Sequence, residues 1–165
     1  MDKSIYTTFN PNMPVEQNTA LRMQTISSLY GFQIETPARG LTNGSIISEE
    51  TKLRISRSTF ILVISLNEIS EAVLNEVKLA KEKKKPIIIL QSKHATPLNL
   101  NYKSAQSFVL DYANTDKTLH DISEFLRSVI NQSVKEHKQS SNVGLTVIGV
   151  GLTLLALWAL SSSDE

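Results

Sequence analysis

The stretch TFILVISLNEISEAVLNEVKLAKEKKKPIIILQ, residues 59–91, decides how the rest of the chain is read. A continuous apolar run (60–64) leads into an amphipathic segment and then a second continuous run (86–90). Two buried parallel strands joined by a crossover helix have this pattern. In the helix, Ile69, Ala72, Val73, Val77 and Ala80 recur every three or four residues and form the stripe that packs on a sheet. Glu76 lies on that same stripe, whereas Glu68, Glu71 and Glu82 can face water. A carboxylate in that position either finds a partner or lines a cleft.

The flanking segments extend the alternation. Residues 4–9 (SIYTTF) read as a short strand ended by Asn10-Pro11-Asn12. Pro14 suits the first turn of a helix reaching about Leu29, with Met23, Ile26, Leu29 and Tyr30 as its apolar face, and Gly31 ends it. Residues 32–35 form a second strand. The loop 36–45 that follows is either a rim of a site or an exposed connection. Ser48 with Glu49 and Glu50 opens the next helix as cap and acidic first turn, and Leu53 and Ile55 are expected to turn inward. Residues 92–104 read as a polar loop, 107–110 as a fifth strand, and Leu119, Ile122, Phe125, Leu126, Val129 and Ile130 as one face of a last helix. The order predicts a doubly wound α/β domain over 1–134, a flavodoxin-like parallel sheet with strand order 2-1-3-4-5 and flanking helices. Ligands are expected at the carboxyl ends of strands 1 and 3. That crevice would collect Thr8, Phe9 and Asn10, Arg39 and Asn43 from the loop, and Ser65, Ser70 and Glu76. Ser65 and Ser70 can alternatively serve as helix caps, with Glu76 held by a structural partner.

Ser65, Ser70 and Glu76 match a TIR-domain pattern: a strand ending in V-I-S, then S-x-W-C-x-x-E, with the glutamate six residues after the second serine. The stretch thus resembles a TIR-like domain and, more loosely, nucleoside deoxyribosyltransferase relatives, over roughly residues 3–134. Ala72 and Val73 stand where the family usually has Trp and Cys. The resemblance implies that, in an NAD-cleaving member, Glu76 would be the catalytic residue with Ser70 beside it.

Composition narrows the function classes. The 165 residues carry 17 Lys+Arg against 16 Asp+Glu, so no global charge draws the chain to nucleic acid. Sequence-specific nucleic-acid binding is not expected. The absence of cysteine excludes disulfides and thiolate metal sites and suits a reducing compartment. His94, His120 and His137 lack ligand spacing, so no metal or other cofactor is expected. Residues 1–8 carry two charges and no long apolar region, unlike a secretory leader. The run 81–85 completes a helix carboxyl end, where cations suit the dipole. Arg54, Arg57, Lys83, Lys84 and Lys85 are candidates for contact with anionic lipid or phosphate.

Beyond a polar linker (135–142), residues 143–160 are eighteen positions without a charge. As a helix they would span about 27 Å, close to the ~30 Å hydrocarbon core. This predicts one carboxyl-terminal transmembrane helix and a short tail, 161–165. Lys135 and Lys138 before the run, with Asp164 and Glu165 after it, put the domain in the cytoplasm and the tail outside the cell membrane. Trp158 would sit near the outer interface. Gly144, Gly149 and Gly151 would let such helices pack closely as homo-oligomers.

A TIR-like domain on one membrane helix resembles membrane effectors of prokaryotic immune systems, including those paired with short Argonautes. The resemblance implies a toxic effector of abortive infection. An immune protein complex or a nucleotide signal would cluster the chains, and the clustered helices would disrupt or depolarise the membrane. The alternatives are a membrane-tethered NAD hydrolase with NAD as substrate, and a non-toxic signalling adaptor.

Overall fold

Five strands with adjacent β-branched and apolar residues set the frame: β1 (Ser4–Phe9), β2 (Gln33–Glu35), β3 (Phe60–Ser65), β4 (Ile87–Gln91) and β5 (Ala105–Val109). A computed structural model describes residues 4–29, 33–39 and 46–109, together with the helical positions Asp121 and Glu124. The strands pair in parallel in the order β2-β1-β3-β4-β5, the doubly wound order expected. β1 and β3 run side by side, with Thr8 beside Val63 and Phe9 beside Ile64. Every residue of both is buried, because helices cover both faces of a parallel sheet.

Three helices are described: α1 (Pro14–Leu29), α2 (Glu49–Arg57) and α3 (Glu71–Glu82). Ser48 and Ser70 cap α2 and α3, their hydroxyls accepting the amides of Thr51 at 3.2 Å and Val73 at 3.4 Å. Ile55 of α2 and Val73, Val77 and Ala80 of α3 pack on one sheet face with Tyr6, Ile61, Val63, Ile87 and Ile89. Burying each Val or Ile contributes about 1.5–3 kcal/mol. α1 packs against β1, β2 and β3 on the opposite face, burying Ala20 and Met23.

Several boundaries and one orientation depart from expectation. β5 begins two residues earlier than its apolar signal, at Ala105, because the exposed Gln106 on this edge strand interrupts that signal. β4 covers 87–91 rather than 86–90, since Pro86 has no amide to donate to a ladder. Leu53 does not turn inward and is 60% exposed. On α2 the buried face is defined by Thr51 and Ile55, four residues apart, and Leu53 falls on the other side. Most of the expected last helix, Asn43 and the whole of 135–165 lie outside the described residues. Among the described residues no helix is long and apolar enough to cross a membrane.

Candidate functional site at the carboxyl edge

The site begins with period two in β1. Tyr6 and Thr8 point to the face covered by α2 and α3, and Glu76 comes down onto that face from the stripe of α3. Glu76 is 3% exposed and cannot remain there without partners. It has them. Thr8 donates its hydroxyl hydrogen to Glu76 Oε2. Arg39 donates from Nε to Oε1 at 3.3 Å and from Nη2 to both oxygens at 3.2 Å. Its Nη2 also reaches the Thr8 hydroxyl at 3.2 Å, and its Nη1 binds the Phe9 carbonyl at 2.7 Å. The guanidinium lies 5.2 Å from the centroid of the Phe9 ring, within cation–π range.

The loop that delivers Arg39 is itself fastened. The Ala38 amide donates to the Thr51 hydroxyl at 3.0 Å, and the Ser48 hydroxyl donates to the Ala38 carbonyl at 2.9 Å. The cap of α2 therefore also positions the residue beside Arg39. The Tyr6 hydroxyl lies in the same neighbourhood with no hydrogen bond of good geometry. Burial above all, and then the negative charge of Glu76, push the Tyr6 phenol far above its ordinary range.

A second buried carboxylate closes the crevice on the side of α1. Glu16 is fully buried, and its two oxygens accept the amides of Asn10 and Leu66, each at 2.7 Å. Asn10 and Leu66 follow the carboxyl ends of β1 and β3, where the strand order reverses. Backbone amides at such a switch point are common anion receptors. Here the chain supplies its own anion. The Asn10 side chain also donates to the Glu68 carbonyl at 3.0 Å, and the Ser92 hydroxyl to the Leu66 carbonyl at 2.7 Å, so the β3–α3 loop is held from two sides.

Of the residues expected in the crevice, Thr8, Phe9, Arg39 and Glu76 form one contact network, and Asn10 stands beside it on Glu16 and Glu68. Ser70 is the cap of α3. Ser65 is buried next to Gln91 in the sheet register, and Ser65 Oγ and Gln91 Oε1 both lack a hydrogen-bond partner. Glu16, Tyr6 and Thr51 were not singled out in the sequence. Glu16 carried a signal: it precedes the buried Ala20 and Met23 by four and seven residues, the same stripe logic that marks Glu76.

The basic candidates separate. Arg57 holds the buried Glu35 with contacts of 2.7 and 3.1 Å, and Arg54 holds Glu50 and the Thr36 carbonyl, both at 2.8 Å. Lys85 donates to the Ser58 carbonyl at 2.6 Å. Lys83 and Lys84 remain exposed, at the opposite, amino edge of the sheet. Gly144, Gly149 and Gly151 lie outside the described residues. Among the described residues no cluster of His, Asp or Glu could hold a metal ion. No protein-family model matches the chain, and no curated protein matches it.

Chemically, the network is a neutralised pair. Both Glu76 oxygens are occupied, and its charge is matched by Arg39. For this carboxylate to act on a substrate, Arg39 would first have to leave it. The Arg39 side chain, 16% exposed, is the member that reaches solvent.

Proposed function

We propose that this chain is a membrane-anchored effector whose TIR-like domain works by gathering chains, as in abortive antiviral defence, and not by cleaving a substrate. The observation that supports the reading is the closure of Glu76 by Arg39 and Thr8. A catalytic carboxylate needs a free oxygen facing its substrate, and this one has none in the arrangement described. A small anionic ligand, or an acidic group of an activating protein, has the chemistry to compete for the partly exposed Arg39. Such competition would open the loop around Ala38 and alter the surface presented to neighbouring chains. The uncharged run 143–160 supplies the anchor. A single apolar helix cannot enclose a conducting path, so damage to the membrane requires several chains together.

The second reading is a membrane-tethered NAD hydrolase. It draws on the position of Glu76 at the switch point between β1 and β3, with the unpartnered Ser65 hydroxyl on the same sheet face. In that reading Arg39 swings away when substrate enters.

The full chain, fused at its amino terminus to a chemically induced oligomerisation module, separates the two. On clustering in cells, membrane potential should fall while NAD stays constant, and Glu76→Gln should leave the fall intact. Replacing Gly144, Gly149 and Gly151 with Leu should blunt it. NAD loss that precedes depolarisation and vanishes in Glu76→Gln would replace this reading with the enzyme.

A further inference from the structure

Between residues 77 and 110 the chain carries seven lysines and one acid, Glu82, although the whole chain is nearly neutral. The fold concentrates several of these at one place. α3 ends in a Schellman turn: the Lys84 amide bonds the Lys81 carbonyl, and the Lys85 amide bonds the Ala80 carbonyl, both at 3.0 Å. The position that closes such a turn takes a left-handed backbone, which glycine adopts without penalty. This chain puts Lys84 there, with φ of 55°. A side chain kept at a strained position points to a use for that side chain.

The neighbouring strand adds to the patch. The Ile87 amide donates to the Ser104 carbonyl at 2.8 Å, so Lys103 precedes a residue bonded to the start of β4, at the same amino edge of the sheet as the turn. Lys81, Lys83, Lys84 and Lys103 are exposed and, among the described residues, make no ion pair. Lys85 is the strut beneath them, bonded to Ser58, and Arg54 and Arg57 are engaged elsewhere. Burial first, and then the charge of Lys83, hold Lys85 below its ordinary range. Compact ammonium groups suit a diffuse field of headgroups, whereas recognition of one phosphate favours the forked guanidinium.

We propose that Lys81, Lys83, Lys84 and Lys103 form the surface by which the domain lies on an anionic bilayer leaflet. The proposal rests on the membrane-anchored reading above. It places the amino edge of the sheet against the lipid and leaves the Arg39–Glu76 edge facing away, open to an activating partner.

The test uses the full chain reconstituted in vesicles of phosphatidylcholine alone or mixed with phosphatidylglycerol. A water-soluble acylating reagent reads the exposure of each lysine. At low salt, Lys81, Lys83, Lys84 and Lys103 should label several-fold more slowly in the anionic vesicles, and high salt should restore labelling. Lys52 and Lys93 serve as controls and should not change. In Lys84→Gly, protection of the other three should weaken, by about fivefold if each lysine contributes its usual share. The melting temperature should rise in the same variant, because the strain is relieved. Unfolding therefore cannot explain the loss. Equal labelling in both vesicle types overturns the proposal. So does protection produced in phosphatidylcholine by inorganic phosphate or a single-stranded oligonucleotide with none from phosphatidylglycerol. Resistance to alkaline extraction from phosphatidylcholine vesicles tests the anchor separately, so failure of that reading is distinguishable from failure of the patch.

Discussion

Arg39 and Glu76 meet above the carboxyl edge of the sheet, where one guanidinium uses Nε and Nη2 on the carboxylate and Nη1 on the Phe9 carbonyl. The contact joins a loop after β2 to a helix after β3, and Thr8 of β1 completes it from below. Three separate crossings of the chain are thus tied at the point where the strand order reverses.

Removing one partner should cost far more than removing both. Arg39→Leu leaves Glu76 buried and uncompensated, a loss of about 3–5 kcal/mol for a buried pair. Arg39→Leu/Glu76→Leu replaces the pair with apolar volume and should recover most of that loss. Urea denaturation of the full chain in neutral detergent, followed by far-ultraviolet circular dichroism, measures the difference. If the two substitutions simply add, Arg39 and Glu76 are not an energetic unit.

Glu16 should behave as a clasp between two loops. Glu16→Ala strands two buried amides, those of Asn10 and Leu66, and each hydrogen bond to a charged acceptor contributes about 1.5–3 kcal/mol. Amide hydrogen exchange should quicken at both residues together, while the amides of β4 keep their protection. Exchange that quickens at Asn10 alone would mean that Glu16 does not hold the β3–α3 loop.

Tyr6 predicts the alkaline limit of stability. Its folded pKa is raised above the ordinary value of 10.0, so the folded state keeps a proton that the unfolded chain releases. That contribution is complete below pH 10 and is lost as pH climbs above it, by up to about 1.4 kcal/mol per pH unit. Tyr6→Phe removes this loss. Because the hydroxyl makes no hydrogen bond of good geometry, the variant should be close to neutral in stability at pH 7. Parallel stability curves of wild type and Tyr6→Phe from pH 9 to 11 would contradict the assignment.

The sheet order, the Ser48 cap and the burial of Glu76 were legible in the sequence, because each depends on a short-range rule; Ser70, expected in the crevice with a cap as the alternative, is the cap of α3. Apolar runs mark buried strands, a stripe every three or four residues marks a helix face, and a serine before two acids, as at Ser48, marks a helix start. Those rules state that Glu76 is inside; they do not state what it touches. Arg39 lies 37 residues away, and only the packing of the β2–α2 loop against β1 brings it there. The same holds for Glu16 on Leu66, Arg57 on Glu35 and Lys85 on Ser58. Periodicity specifies which face a side chain takes, since it is fixed by the backbone repeat. Its partner is fixed by which strands the chain lays side by side, and that is decided only when the whole sheet closes.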